Sequence, residues 1–174
     1  MSQPKEKQLR VLAIAPSTRG LGFAVMEGKS TLVDWGLKAV NADKNARSLS
    51  NVANLIGIYN PTIIVLEDAH SKSSRRSSRI QALVSSIVEL ADDEGIPVKL
   101  LARTKVRTAL LLNPRGTIHE LAESVANRFP AELGLRLPKK RKPWMSEDSR
   151  MDIFRAVALA QCVFTFDRSI STGP

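Results

Sequence analysis

The sequence predicts an α/β fold in which helices flank a central mixed sheet. Two short apolar runs, at residues 11–15 and 62–66, lack polar alternation, which is typical of strands buried on both faces. Between them, apolar residues recur at spacings of three and four from Asp43 to Tyr59, which predicts an amphipathic helix. A strand, a crossover helix and a second strand normally form a parallel pair. We therefore expect the two apolar runs to lie side by side in the sheet.

A hairpin and an edge strand are predicted around the first apolar run. Between Leu9 and Met26 the sequence predicts a strand, a tight turn and a returning strand. Gly20 and Gly22 give the backbone the conformational freedom that the turn needs. Residues 31–37 alternate well enough for a third strand at the sheet edge. The hairpin and this edge strand together predict three antiparallel strands at one side of the sheet.

The second half of the chain alternates similar signals. Thr117 and Glu120 have the spacing of a capping box, so His119 is interpreted as a first-turn surface residue and not as a ligand. Residues 130–147 contain prolines and cations and are predicted to form a basic loop. The remaining elements are expected as a helix over 80–94, a strand over 96–101, a short helix up to 112 and a last helix from 146 to about 166.

Length, charge and cysteine content limit the class of protein. The chain of 174 residues suits one compact domain over residues 1–174, with a flexible tail expected at 1–8. A net charge of +9 and a pI near 10.1 favour a polyanionic partner such as DNA or RNA, with a solubilising charge as the alternative. The single cysteine, Cys162, excludes an intrachain disulfide. No apolar run reaches the roughly 20 residues of a membrane span, so we expect a cytoplasmic, nucleoid-associated protein.

Two polar segments, at residues 70–79 and 139–144, have the composition of phosphate-contacting loops. Guanidinium, ammonium and hydroxyl groups donate to phosphate oxygens, and an indole beside four cations offers a stacking platform. Scattered, solvated charge is the alternative interpretation. The candidate nucleic-acid-binding residues are Arg19, Lys72, Arg75, Arg76, Arg79, Lys105, Arg107, Lys139, Lys140, Arg141, Lys142 and Trp144.

A candidate metal-binding carboxylate follows the second apolar run. Glu67, with Asp68 as its neighbour, comes at the end of a strand, where open α/β sheets place their functional groups. A carboxylate there can bind a divalent cation. The alternative is that the acidic pair only turns the chain toward solvent.

The order of these features resembles that of RuvC-type nucleases in the RNase H-like superfamily. The resemblance extends over residues 11–164 and depends on the hairpin, the strand ending in Glu67 and the final apolar run Ala156-Val157-Ala158-Leu159-Ala160. It implies an RNase H-like, RuvC-type fold with a central mixed five-stranded sheet flanked by helices. It also implies a homodimer, recognition of branched DNA such as four-way junctions, and Mg²⁺ or Mn²⁺ as the cofactor of active members.

The catalytic residues that the resemblance implies are only partly present. Where the family has an aspartate, a lysine and a second acid of the last helix, this chain has Ala15, Ile118 and Arg155. Glu67 and Asp152 remain as catalytic and metal-binding candidates. Two-metal cleavage requires several acids around two cations, and an arginine at a metal position repels them.

Two other interpretations concern the start of the last helix. Asp148 and Asp152 lie four residues apart, so a shifted register would place both carboxylates on one helix face and rebuild part of a site. Alternatively, Ser149 and Asp152 fit a capping box, while Glu147 and Asp148 complement the helix dipole.

Three functions are compatible with the sequence. The first is a RuvC-like protein that binds branched DNA of the Holliday junction type, with lost or impaired nuclease activity; it needs Mg²⁺ or Mn²⁺ only if it is active and otherwise no cofactor. The second is an active metal-dependent crossover junction endodeoxyribonuclease, either with alanine replacing the aspartate at position 15 or with a reorganised set of acids such as Glu67, Asp68, Asp148 and Asp152. The third is a scaffold for protein contacts.

Overall fold

The computed structural model describes residues 9–72 and 74–167; the tail expected at 1–8 lies outside the described residues. Five strands form one sheet in the order β3-β2-β1-β4-β5. The strands β1 to β3 are antiparallel, whereas β4 and β5 run parallel to β1. This arrangement confirms the predicted mixed five-stranded sheet. The strand bounds are β1 (Arg10–Ser17), β2 (Gly20–Glu27), β3 (Thr31–Ala39), β4 (Ile63–Glu67) and β5 (Val98–Leu101).

Helices cover both faces of the sheet. Their bounds are α1 (Lys44–Tyr59), α2 (Ser78–Asp93), α3 (Arg103–Leu111), α4 (Ile118–Arg128), α5 (Pro130–Leu133) and α6 (Met151–Asp167). The helices α1 and α2 pack on one face, and α3 to α6 pack on the other. The capping box of Thr117 and Glu120 is present at the start of α4. None of the helices in the described ranges has the length and apolar character needed to cross a bilayer.

The central strand β1 is buried on both faces, as its sequence predicts. Ala13 and Ala15 face α6, whereas Leu12 and Ile14 face α1 and α2. Ile14 pairs with Leu66 of β4, so the next positions on the two strands meet at the same edge of the sheet. Residues 15 and 67 are therefore neighbours at the strand ends.

The helix α6 lies unusually close to the hairpin. A β-carbon on Gly22 of β2 would be 2.4 Å from the carbonyl carbon and oxygen of Asp152, so only glycine fits at this contact. Further along the helix, Ala156, Ala158 and Ala160 are fully buried. Small residues on both elements thus fix the first turn of α6 against the strand ends.

Two predicted element boundaries are wrong. The last helix begins at Met151 and not at Ser146, because the Asp148 carboxylate accepts hydrogen bonds from the backbone and side chain of Arg150 and holds a turn there. Residues 130–147 are not a loop throughout. Residues 130–133 form α5, since a proline in the first helical turn lacks only a donor that would have no partner there. A 3₁₀ turn at 134–136 follows, and the basic loop proper begins after it.

Two glycine substitutions are expected to have opposite effects, because Gly22 packs against α6 whereas Gly57 of α1 has free space around it. Gly22→Ala forces β2 away from α6 and is expected to lower the free energy of unfolding by about 1–3 kcal/mol. Gly57→Ala, in α1, meets no atom within 4 Å and is expected to raise it by about 0.5–1 kcal/mol through its helix propensity. Urea unfolding followed by circular dichroism measures both. A neutral Gly22→Ala would contradict the close contact.

Candidate nucleic-acid interface

A cavity of about 170 Å³ lies at the strand ends, where the sequence predicted a metal site. Ala15 and Glu67 line it from β1 and β4, Ile118 from α4 and Arg155 from α6. The fold therefore brings together four of the five positions that the resemblance implied. We call it the arginine cavity, because its lining includes Arg75, Arg76, Arg103, Arg107 and Arg155.

Arg155 is held between two carboxylates. Its Nη1 donates to Asp152 Oδ1 at 3.1 Å, and its Nη2 donates to Glu147 Oε2 at 3.1 Å. Burial alone lowers the pKa of Arg155, but the Glu147 and Asp152 carboxylates outweigh burial and the pKa is raised. The guanidinium is therefore a fixed positive charge. Glu147 was expected only to complement the helix dipole, and its role as an ion-pair partner was not predicted.

Asp152 is buried, with 5% of its surface exposed. Burial raises the pKa of its carboxyl group, although a hydrogen bond with Ser17 and the charge of Arg155 oppose this effect. The capping-box interpretation is wrong, because α6 begins at Met151 and Ser149 does not occupy the N-cap position. The carboxylate of Asp152 instead joins the hairpin end to Arg155.

Glu67 is also paired with an arginine. Its Oε2 accepts a hydrogen bond from Arg76 Nε at 2.8 Å. Its neighbour Asp68 accepts a bond from the backbone nitrogen of His70 at 3.0 Å and so closes a turn. Each carboxylate therefore has one oxygen engaged in a contact within the protein.

The residues present do not fit the divalent cation that RuvC-type enzymes use. Asp148 precedes α6 and forms an ion pair with Arg150 at 2.7 Å, whose hydrogen bond lowers the pKa of Asp148. It therefore does not share a helix face with Asp152, and the shifted-register interpretation is wrong. Within residues 9–72 and 74–167, no three His, Cys, Asp or Glu side chains are grouped as metal ligands. At about 4 Å and an effective dielectric of 20, an uncompensated guanidinium repels each unit of cation charge by about 4 kcal/mol, and the Glu147 and Asp152 carboxylates reduce this repulsion at Arg155.

An open groove of about 920 Å³ adjoins the arginine cavity. It lies between the hairpin turn, the start of α4 and the segment 137–151, and Ile118 lines both it and the arginine cavity. We call it the basic groove. Its cationic lining residues are Arg19, Lys139, Lys140, Arg141 and Arg150.

Several predicted nucleic-acid-binding residues are accessible. Lys72 and Arg75 are exposed beside the arginine cavity, and Lys139–Lys142 are exposed in the loop before α6. Trp144 is 78% exposed, and Lys142 Nζ lies 5.4 Å from the centre of its ring. An exposed indole among cations is available to stack on a base.

Other predicted residues have structural contacts. Arg79 donates to the Ser17 carbonyl at 3.1 Å and to Asn45 Oδ1 at 2.9 Å, so it joins α2 to the hairpin and α1. Arg107 is buried and is not part of an outer surface. Lys105 is exposed on the same helix. His119 is half-buried and pairs with Glu123 at 2.8 Å.

Arg103 was not among the residues predicted from the sequence. It lies four residues before Arg107 on α3, and both line the arginine cavity. Residues four apart share a helix face, so this spacing was a usable signal. Glu147 carried no such signal, because its partner Arg155 is eight residues away across a turn.

The sheet order, the strand directions and the two helix layers define a RuvC-like resolvase fold of the RNase H-like type. The structure is similar to that of Thermus thermophilus RuvC, with a TM-score of 0.67, 18% identity, and coverage of 92% of this chain and 96% of that one. The yeast mitochondrial Holliday junction resolvase gives a TM-score of 0.62 at 16% identity, over 97% of this chain and 83% of that one. The predicted resemblance is thus confirmed for the fold.

A viral protein has a more distant likeness. The fowlpox virus resolvase, in a complex with its substrate Holliday junction DNA, gives a TM-score of 0.51 at 13% identity, over 93% of this chain and 99% of that one. No protein-family model matches the sequence, and no curated protein matches it significantly. At such identities the likeness establishes the fold, and the activity must be argued from the site.

Restoring one carboxylate is not expected to restore a metal site. Ala15→Asp leaves the Arg155 guanidinium in place, so it should not bind Mn²⁺ at millimolar concentrations. Ala15→Asp combined with Arg155→Asp removes that cation and is expected to bind. Electron paramagnetic resonance of free Mn²⁺, with EDTA reversal, measures the difference.

A control variant makes the same charge change elsewhere. Ala46 and Arg47 are exposed on α1, so Ala46→Asp with Arg47→Asp adds the same carboxylates outside the cavity and should not bind Mn²⁺. Circular dichroism checks that each variant is folded. EDTA-reversible Mn²⁺ binding by the unchanged chain would contradict the assignment of Arg155 as the cation of this site.

Proposed function

We propose that this chain binds branched DNA of the four-way junction type through the basic groove and does not cleave it by a metal-dependent reaction. The observation that carries the proposal is a RuvC-like fold whose cationic groove opens beside an arginine-filled metal position. Among the structural neighbours, T. thermophilus RuvC and the fowlpox virus resolvase are both described in complexes with Holliday junction DNA.

The charge distribution supports binding to nucleic acid. Lys139, Lys140 and Arg141 are exposed and line the basic groove together with Arg19 of the hairpin turn. Each phosphate that such cations neutralise releases counterions and makes binding more sensitive to salt. Trp144 adds a stacking surface at the end of the same loop. This combination favours a nucleic-acid interface over a purely solubilising charge.

The paired carboxylates support loss of cleavage. A nuclease centre must leave carboxylate oxygens open to the metal ions that activate water and stabilise the leaving oxygen. Here Asp152 and Glu67 are bound to Arg155 and Arg76, and Ala15 supplies no ligand. The same groups that line the cavity therefore attract phosphate and repel the catalytic cation.

The proposal includes a homodimer. The family resemblance implies two copies, and two basic grooves would present cations to separate arms of a junction. Multi-angle light scattering at DNA-binding concentrations measures the mass directly, and a monomer with and without DNA would remove this part of the proposal.

The main test is fluorescence anisotropy with a labelled four-way DNA junction, a DNA duplex and an RNA duplex of matched length. We expect tighter binding to the junction than to either duplex, in EDTA as well as with Mg²⁺ or Mn²⁺. The triple variant Lys139→Gln, Lys140→Gln and Arg141→Gln should reduce the log–log salt slope by about 2–3, at roughly 0.7–0.9 per phosphate contact. Trp144→Ala should weaken junction binding by at least about fivefold, because stacking contributes roughly 1–3 kcal/mol per base.

A matched triple variant serves as the control. Lys29, Arg47 and Arg128 are exposed and do not line the basic groove, so changing all three to Gln removes the same charge elsewhere. An equal loss of affinity in both triple variants, or equal binding to junction and duplex, would contradict the assigned groove. Denaturing gels of the same mixtures test the activity, and cleavage products with Mg²⁺ or Mn²⁺ would refute the loss of cleavage.

A further inference from the structure

We propose that the arginine cavity is a binding site for one phosphate-type anion, which guanidinium groups hold directly and without a metal ion. The inference goes beyond the binding of DNA in the basic groove, because it assigns a discrete ligand to a position that the family resemblance reserves for cations. The phosphate could come from bound DNA or from a free phosphate compound, and the inference rests on the proposed function only in the first case.

The size and lining of the cavity fit a phosphate group. Its volume of about 170 Å³ equals that of roughly five to six water molecules at about 30 Å³ each, which leaves room for a phosphate group. Its polar lining consists of five arginines, the hydroxyl-bearing Ser74 and one carboxylate, Glu67. The remaining wall includes Ala15, Val106, Leu121 and Leu159. An apolar wall lowers the local dielectric and strengthens the attraction between guanidinium groups and an anion.

Arg107 is the strongest single observation. It is 5% exposed, and its Nε donates to the Gly116 carbonyl at 2.7 Å, which fixes the orientation of its guanidinium. Among the described residues, no carboxylate lies within ion-pair distance of it. Burial and the charge of Arg103 lower its pKa, the charge of Glu67 partly opposes them, and the charge of Arg155 adds to the lowering. A buried cation without a carboxylate partner is costly, and an anion in the cavity would offset that cost.

The charges of the lining arginines are not all compensated. Arg76 pairs with Glu67, and Arg155 pairs with Glu147 and Asp152. Arg75, Arg103 and Arg107 have no ion pair with a carboxylate in the described part of the chain. These three line the cavity from the loop before α2 and from α3, so a phosphate in the cavity could receive donors from both elements. Guanidinium groups suit this role because their planar donors match phosphate oxygens in pairs.

The phosphate has two possible sources. The arginine cavity adjoins the basic groove at Ile118, so a backbone phosphodiester of bound DNA can enter from the groove. A free phosphate or nucleotide offers the same oxygens. The binding chemistry is shared, and the experiment separates the sources.

Isothermal titration calorimetry with inorganic phosphate, at constant ionic strength in chloride, tests the site. We expect saturable binding to the unchanged chain and at least about tenfold weaker binding to Arg103→Gln, which removes a charged donor from an exposed position and should not affect folding. Glu67→Gln removes the one carboxylate among the described lining residues and releases Arg76, so it should strengthen phosphate binding several-fold. This gain cannot result from a poorly folded variant. Arg107→Lys, which keeps the charge but loses the fixed planar donors, should weaken binding.

The control is Arg47→Gln, which removes an exposed arginine from α1 and should leave phosphate binding unchanged. An absence of saturable binding would overturn the inference. The same loss in Arg47→Gln as in Arg103→Gln, or weaker binding by Glu67→Gln, would also overturn it.

A competition arm identifies the source. At constant ionic strength, saturating phosphate should weaken junction binding by the unchanged chain if a backbone phosphodiester occupies the cavity, and should not affect Arg103→Gln. Phosphate binding with unaltered junction affinity supports the site with a free phosphate as its ligand. Junction binding without phosphate binding overturns the inference alone, whereas phosphate binding without junction binding upholds it and refutes the proposed function.

Discussion

The close packing of α6 against β1 and β2 is the constraint on which the functional face depends. Every described residue of this helix from Ala156 to Val163 is buried, so α6 is a core helix and not an amphipathic surface helix. Its contact with Gly22 fixes the first turn at the strand ends. Polar groups in that turn cannot move out to water, and they must find partners inside the protein.

This constraint explains why Arg155 is surrounded by carboxylates. Asp152 is buried by the packing of the helix, and a buried carboxylate needs a partner of opposite charge. In metal-dependent members of the fold a cation can supply that charge. Here the guanidinium of Arg155 supplies it through hydrogen bonds to Asp152 and Glu147. The fold can therefore satisfy its buried acid without a metal. The guanidinium is, however, a covalent part of the arginine side chain, and unlike a metal ion it offers no open coordination position for water.

The fold could be predicted from the sequence because the patterns that indicate its strands and helices are local. The apolar runs at 11–15 and 62–66, the periodicity of α1 and the capping box of α4 each depend on residues a few positions apart. The same logic located the candidate site at the strand ends, since Glu67 and position 15 lie at the carboxyl ends of the two apolar runs.

The contacts within the site could not be read in this way. Arg155 binds Glu147 across a turn that precedes the helix, and Arg76 binds Glu67 from the following loop. Arg107 has the spacing of an exposed helical cation but is buried, because its Nε is bonded to the carbonyl of Gly116 in the next loop. These partners depend on how separate segments meet. The sequence identified which chemical groups were present, and the structure determined which of them neutralise one another.

The arrangement separates two properties that a metal ion normally combines. A divalent cation at the strand ends both attracts a phosphate and activates the water that attacks it. The arginine cavity can provide the attraction, because guanidinium donors carry permanent charge and match phosphate oxygens. A guanidinium has no open coordination position at which a water could be acidified, so the arginines themselves do not supply the activation. In the function proposed here, arginines at a metal position keep the attraction for a phosphodiester and not its cleavage, and the packing of α6 against the hairpin positions the site.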